Sequence, residues 1–270
     1  MCDELDLLEL GRGGAVHAAL GALVAPARAA PGEMVKCYVQ REGSTRFDLF
    51  TEGGEYLLTA RQVPPPARLP GAGLLAGPLD ATAVGEELFV LSQFREPSAQ
   101  RLAVVRFGGA GSERKSGASF EALVGGVSIA SIQHNADGND PLCLMSAHVP
   151  ETLPALGTPE AAAGLDGAAA EADGGAAPRS VALPTKLPAW SEKLQSYTLD
   201  YRGRAKMASS RNFQLEGQEP EQPKGQQQPG GVRVALQYGK VDDNRFNLDF
   251  TEPLCAVSAF AIALTTVYWS

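Results

Sequence analysis

Few side chains in this sequence could carry chemistry, and they are scattered. His17, His134 and His148 stand apart, and none falls in an H-E-x-x-H spacing that would put two imidazoles on one metal. His134 lies beside Asn135 and Asp137, but in "HNADGND" it reads as a turn residue. The run "FGGAGSERKSG" (residues 107–117) is glycine-rich and basic, yet lacks the G-K-[ST] that closes a phosphate loop. There is no G-x-S-x-G nucleophile motif. The four cysteines, Cys2, Cys37, Cys143 and Cys255, contain no C-x-x-C pair, so they read as reduced thiols in a cytosolic setting and not as a disulfide framework. The expectation is a protein without catalytic residues, metal or cofactor.

Composition narrows the partner class. The chain has 270 residues, a net charge of −8 and 44% hydrophobic residues. A general nucleic-acid binder carries a basic excess, which is missing. An anionic membrane repels a protein of this net charge as a whole, so contact with lipid headgroups requires a local basic patch. The opening "MCDELDLLEL" is acidic where a secretory signal would be basic, which points to the cytoplasm.

The elements that must position any site read as strands. From Glu33, short apolar runs alternate with polar turns at "EGS" and "EGG", the pattern of antiparallel strands. A Pro/Gly-rich stretch follows, with one short strand expected at residues 74–76. "EELFVLSQFREPSAQRLAVVRFG" gives two strands around a turn at residues 96–99. "GVSIASIQHN" and "LCLMSAHVP" form another hairpin around "ADGNDP". Residues 154–180 are Ala/Gly/Glu-rich, with too few large apolar groups to offset ordering entropy, and read as a loop. A polar insertion over residues 217–231 separates two further strand units. Residues 1–33 read as a helical or disordered arm, packed on the main domain or binding a partner, and residues 34–270 as one β domain. The 30 glycines and 19 prolines suit so many turns.

The tail "PLCAVSAFAIALTTVYWS" has no charged side chain. It is shorter than the ~20 apolar residues a transmembrane helix needs. It does not alternate as a strand does, and Pro253 suits a first helical turn. A helix apolar all round must be buried all round. In a β protein the place offering this is the interior of a closed barrel, and Ala256, Ala259, Ala261 and Ala263 would let strands approach closely. Packing on one face of a sandwich is the alternative.

Three blocks in shared order resemble the tubby-like family. The first follows W-x-x-x-x-Q-x-Y-x-L-x-(F/Y)-x-G-R-x-x-x-A-S-x-(K/R)-N-F-Q, met by Trp190, Gln195, Tyr197, Leu199, Tyr201, Gly203, Arg204, Ala208, Ser209, Arg211, Asn212, Phe213 and Gln214. The second is met by Gln237, Gly239, Val241, Phe246 and Asp249. The third is met by Pro253, Leu254 and residues 259–264. The resemblance extends more weakly over about residues 34–270. It implies an all-β fold, a closed antiparallel barrel of about twelve strands threaded by a hydrophobic C-terminal helix, in agreement with the deduction from the tail. In that pattern "RGRAK" (residues 202–206) belongs to a strand and turn. The usual polar tail after the helix is replaced by "TVYWS", with Tyr268 and Trp269 expected to cap the barrel mouth, their polar atoms facing water.

Function enters here only through the resemblance. Tubby-like domains are non-enzymatic and bind phosphatidylinositol 4,5-bisphosphate at the cytosolic membrane face. They act as peripheral membrane adaptors, including in ciliary trafficking, and related proteins have been proposed to act in the nucleus. The implied clamp is a Lys and an Arg two residues apart on one strand, which share a face. The family's Y-I-G-K-L-R falls on "VLSQFR", so Arg95 keeps the arginine and Gln93 replaces the lysine. An assisting Asn position falls on Gly73 and another Arg near Val124. Arg101 and Arg106 on the next strand are the compensating cations. The implied phosphoinositide-binding residues are thus Arg95, Gln93 and Arg101. Two readings stay open: a lipid-binding adaptor, or a degenerate barrel used for structural or protein interactions. The 33 residues before the barrel are too few for the F-box found in plant members, so no ubiquitin-ligase role is expected.

Overall fold

Alternation of apolar and polar side chains places one face of each strand inside and one outside. The structure is a computed structural model, and it describes residues 21–27, 32–64, 85–95, 101–110, 116–135, 143–151, 179–193, 195–218 and 231–269. Strands β1 (Val35–Glu42), β2 (Arg46–Thr51) and β3 (Tyr56–Gln62) form a meander through turns at the two Glu-Gly sequences. It continues through β4 (Glu87–Ser92), β5 (Arg101–Ala110), β6 (Ser116–Val124), β7 (Val127–Asn135), β8 (Met145–Pro150) and β9 (Ser180–Pro184). The small hairpin β10 (Ala189–Ser191) and β11 (Ser196–Thr198) stands apart as its own two-stranded sheet. The last barrel strands are β12 (Phe213–Gln218), β13 (Val232–Lys240) and β14 (Arg245–Phe250), followed by helix α1 (Ala256–Thr265).

Twelve strands form one antiparallel sheet in the order β12-β13-β14-β1-β2-β3-β4-β5-β6-β7-β8-β9. Insertion of β1 between β14 and β2 sets the register of the centre: Val39 faces Phe246 on one side and Leu49 on the other, and all three are buried. Among the described residues the two ends meet at one bridge, Thr185 with Leu215, next to the Lys186 N–H donating to the Gln214 carbonyl at 2.8 Å. The sheet is therefore a nearly closed barrel.

Helix α1 fills it. Residues 257–265 are all buried, which excludes a helix resting on one face of a sandwich. Phe260, Ile262, Leu264 and Val257 each contribute ~1.5–3 kcal/mol on burial, while Ala259, Ala261 and Ala263 keep the helix thin enough for the wall. The helix ends must satisfy their own backbone groups, because they are buried with it. At the N-terminus, Cys255 is the cap: its Sγ accepts from the Ser258 N–H at 3.3 Å, and the Ser258 hydroxyl accepts from the Cys255 N–H at 3.0 Å. Pro253 therefore lies before the cap and not in the first turn. At the C-terminus, the Thr265 and Thr266 hydroxyls donate to the Ile262 and Ala263 carbonyls at 2.8 and 2.7 Å. The two threonines that interrupt the apolar tail are its C-terminal caps. No described helix is long and apolar enough to cross a membrane.

His134 is not a turn residue. It lies near the end of β7, 5% exposed, with Nε2 3.0 Å from Thr265 Oγ1. Since the threonine hydrogen is used on Ile262, the imidazole must donate from Nε2. Burial pushes its pKa down to about 3, so the ring is neutral. It packs between Phe120 and Trp269, with centroids at 4.6 and 5.6 Å. At this mouth the polar atoms of Tyr268 and Trp269 are placed otherwise than in water. The Tyr268 hydroxyl accepts from Gln62 Nε2 at 3.1 Å, while the Trp269 indole nitrogen is buried without a partner among the described residues.

Several expected boundaries shift. Ser180 already belongs to β9, and Gly217 and Gln218 are paired in β12, so both insertions begin or end inside the ladder. "RGRAK" is not a strand: Arg202 and Gly203 have φ of 50° and 77°, a turn that leads the chain across the outside of the barrel. Strand β6 was not anticipated. Of the arm, residues 21–24 form a helical turn; Leu23, Val24 and Ala27 are buried, and the Ala27 N–H donates to the Leu254 carbonyl at 2.8 Å. The expected strand at residues 74–76, the turns at 96–99 and 136–141, and most of both insertions lie outside the described residues.

Two stability outcomes follow. Ala261→Asp places a carboxylate in the dry centre of the barrel and should cost at least ~4 kcal/mol, read as loss of near-ultraviolet dichroism and of a cooperative melt. His134 has a folded pKa below its unfolded value, so its contribution is complete above about pH 6.5. It is lost as the pH falls from there toward the folded pKa of about 3. By pH 5 the loss is about 2 kcal/mol, and chemical denaturation of His134→Gln should show a correspondingly flatter stability profile between pH 7 and 5.

Candidate functional site

The alternation that buries Phe47 and Leu49 of β2 sends Arg46, Asp48 and Phe50 to the outer face. Asp48 lies opposite Thr59 of β3, and Thr59 opposite Ser92 of β4. Strand β4 ends there: the Ser92 hydroxyl donates to the Phe94 carbonyl at 2.8 Å, and residues 93–95 bend away. Gln93 and Arg95 are thus not alternate residues of one strand, and the shared face that spacing implied is not enforced by pleating. Gln93 is half-buried, and the bend returns Arg95 over β2 and β3.

Asp48 is 1% exposed, although it faces outward, because three groups cover it. The Thr59 hydroxyl donates to its Oδ1 at 2.7 Å, Arg46 Nε lies 3.5 Å from Oδ1, and Arg95 Nε lies 3.4 Å from Oδ2. Tyr56 donates to Thr59 Oγ1 at 2.8 Å; burial raises its pKa, so the phenol keeps its proton. Arg61 donates to the Arg95 carbonyl and fixes the bend from below. The Arg95 guanidinium lies over two rings, 4.9 Å from the Tyr56 centroid and 5.3 Å from that of Phe50. Phe50 stacks on Tyr38 at 5.0 Å, and Arg245 covers Tyr38 at 3.9 Å. A row of arginine and aromatic groups therefore crosses β14, β1, β2 and β3.

The arrangement can bind an anion. Arg95 is anchored at Nε and on one ring face, its side chain is 51% exposed, and its two terminal nitrogens have no partner among the described residues. A planar guanidinium held this way suits a phosphate oxygen pair. Three arginines, Arg46, Arg61 and Arg95, stand against two carboxylates, Asp48 and Glu42, the latter 3.2 Å from Arg46. Phe94, beside Arg95, is 47% exposed.

The other expected site residues are placed differently. Arg101 lies opposite Ser92 in the ladder, but its guanidinium is held by Glu87 at 2.9 Å, and Arg106 is drawn to the same carboxylate at 3.7 Å. Arg95 and Arg101 thus bind different carboxylates. Val124 is a buried wall residue of β6, and Gly73 lies outside the described residues. Sequence reading missed Asp48, Arg46 and Arg61; the signal available was the single acidic residue within the apolar run of "RFDLF", which alternation puts opposite a threonine.

A second outer-face network absorbs most of the sequence blocks singled out above. Arg204 donates through Nε to Asp249 at 2.7 Å and through Nη1 to Glu52 at 2.8 Å. Gln237 donates to Asp249 at 2.7 Å and accepts from Gln214 at 3.2 Å, and Gln214 also donates to the Asp200 carbonyl at 2.9 Å. Gly239 permits the close approach of Ala205, whose Cβ would lie 2.7 Å from a Cβ at that position. These residues pin the segment after β11 to the barrel wall. Beneath them the Cys37 thiol is pushed up to about 12, chiefly by burial and then by Asp249, and has no nucleophilic character at neutral pH. Among the described residues no cluster of His, Cys, Asp and Glu could hold a metal.

Comparison with known proteins agrees with this architecture. The model of the Tub family matches residues 86–268. Tubby-like F-box protein 10 of Arabidopsis thaliana is 39% identical over 98 residues, 33% of this chain and 22% of that protein. Tubby-related protein 3 of Mus musculus is 38% identical over 87 residues, 32% of this chain and 16% of its own length. Protein king tubby of Anopheles gambiae is 40% identical over 87 residues, 32% and 17% of the two chains. The matched part spans less than a quarter of each of these relatives.

Proposed function

The chain belongs to the Tub family, and from that premise we propose that it is a non-enzymatic, peripheral module that binds phosphatidylinositol 4,5-bisphosphate and tethers a partner to the cytosolic leaflet. The role fits an adaptor in membrane-protein or ciliary trafficking. The observation that carries the reading is Arg95, an anchored but exposed guanidinium next to the exposed ring of Phe94. A charged donor takes the headgroup phosphate while an apolar ring contacts the acyl boundary, a pairing suited to a bilayer surface. Gln93 contributes a neutral amide donor. Arg101 supplies a second cation on release from Glu87.

One observation favours a second reading, in which the barrel is a protein-interaction subunit. The hairpin of β10 and β11 presents Trp190 and Tyr197, 49% and 55% exposed and packed edge to face at 5.3 Å, with Leu187 at 66% nearby. Exposed aromatic pairs are common anchors of protein interfaces.

Vesicle co-sedimentation separates the two. With phosphatidylcholine vesicles carrying the bisphosphorylated lipid, Arg95→Ala should lose ~1.5–3 kcal/mol of a charge-assisted contact, about ten- to a hundredfold in affinity. Gln93→Lys should bind more tightly than wild type. Equal binding by wild type and Arg95→Ala would sink the lipid pocket, and binding seen only in Gln93→Lys would favour the interaction subunit.

A further inference from the structure

The cover over Asp48 has a consequence for how an anion site at Arg95 would work. A buried carboxylate facing outward sits under two guanidiniums, Arg46 and Arg95, at 3.5 and 3.4 Å. Arg61 reaches the same bend and donates to the Arg95 carbonyl. This acidic side chain offsets part of the repulsion between arginines from β2 and from the end of β4. It also opposes any second anion that comes to them. We propose that Arg46 and Arg61 join Arg95 as phosphate-binding cations, and that Asp48 is their resident counter-anion, which a phosphate must compete with. The proposal rests on the lipid-binding reading above and adds to it the remaining cations and the restraint on affinity.

Two effects of Asp48 act in opposite directions, and the contacts decide between them. It helps hold Arg95 in place, which favours binding. That help is duplicated, because Arg95 also rests on Phe50 and Tyr56 and its backbone is held by Arg61. Its negative charge is not duplicated: the next carboxylate, Glu42, pairs with Arg46 from the exposed side. Asp48→Asn keeps the shape and the bond from Thr59, keeps the stacking of Arg95, and removes the competing charge. The charge effect therefore dominates. The ligand chemistry is a phosphate monoester group, carried either by a lipid headgroup or by a free inositol phosphate.

The test uses phosphatidylcholine vesicles with and without phosphatidylinositol 4,5-bisphosphate, and soluble inositol trisphosphate as a separate arm. Asp48→Asn should tighten binding about tenfold in the vesicle arm; an equal gain with the soluble headgroup shows that the phosphate alone is recognised, and a gain confined to vesicles assigns the site to lipid. In an Arg95→Ala background the gain should vanish. Arg46→Gln and Arg61→Gln should each weaken binding several-fold, with Lys193→Gln, on the exposed turn between β10 and β11, unchanged. Thermal melting of each variant checks the fold. Should Asp48→Asn fail to fold, losses at Arg46 and Arg61 no larger than at Lys193 overturn the proposal. So does a folded Asp48→Asn that binds no better than wild type while Arg95→Ala still loses binding. A gain that persists without Arg95 also overturns it. Equal binding by wild type and Arg95→Ala is a separate outcome, which removes the lipid-binding reading itself and this inference with it.

Discussion

A ten-residue helix with no charged or strongly polar side chain facing out cannot be left in water, and everything else in this protein is arranged around enclosing it. Residues 257–265 are buried on every side. An open sheet covers one face of a helix; only a sheet curled back on itself covers all of it. The twelve strands, the insertion of β1 between β14 and β2, and the bridge between Thr185 and Leu215 are the geometry of that closure. The helix must in turn settle its own backbone ends within the barrel, which Cys255, Ser258, Thr265 and Thr266 do.

Once the inside is committed to α1, polar chemistry is confined to the outer face and the mouths. There the protein repeats one device. A carboxylate on the outward side of a strand is buried beneath arginine: Asp249 under Arg204, Asp48 under Arg46 and Arg95. In the first case the arginine is 19% exposed and further held by Glu52, and the network straps a loop to the wall. In the second the arginine is half open to solvent and its terminal nitrogens are free among the described residues. A buried charge pair contributes little net stability because desolvation offsets attraction. What each pair fixes is position, of a strap in one place and of an exposed cation in the other.

The helix, the hairpin turns and the barrel could be read from the sequence because each depends on a local pattern: all-round apolarity, Glu-Gly turns, alternation. Strand β6 could not. "SGASFEALV" has small residues where a strand usually shows large ones, and it pairs well only because its partners are present on both sides. His134 looked like a turn residue because its neighbours in sequence are Asn135 and Asp137; its partners in space, Thr265 and Trp269, are more than a hundred residues away. The same limit applied to the site. The Gln93–Arg95 spacing implied a common face only on a continuing strand, and the Ser92 hydroxyl ends that strand too soon. Arg101 lies opposite Ser92 in the ladder, and its guanidinium is drawn away from Arg95 by Glu87.

Family likeness and site likeness are separable in this chain. The Tub family match runs from residue 86 to 268, from the start of β4 through α1. The sequence blocks that carry the resemblance contain Gly203, Arg204, Gln214, Gln237, Gly239 and Asp249, and the structure uses these to fasten a strap across the barrel. They are therefore evidence of fold. Of the residues around the exposed guanidinium, Ser92, Gln93 and Phe94 lie inside the matched span with Arg95. Asp48, Phe50, Tyr56, Thr59 and Arg61, which hold it, come from β2 and β3 before the match begins. These residues lie on the outward side of β2 and β3, while Phe47, Leu49, Leu58 and Ala60 of the same strands are buried core, so the site and the enclosure of the helix draw on different side chains.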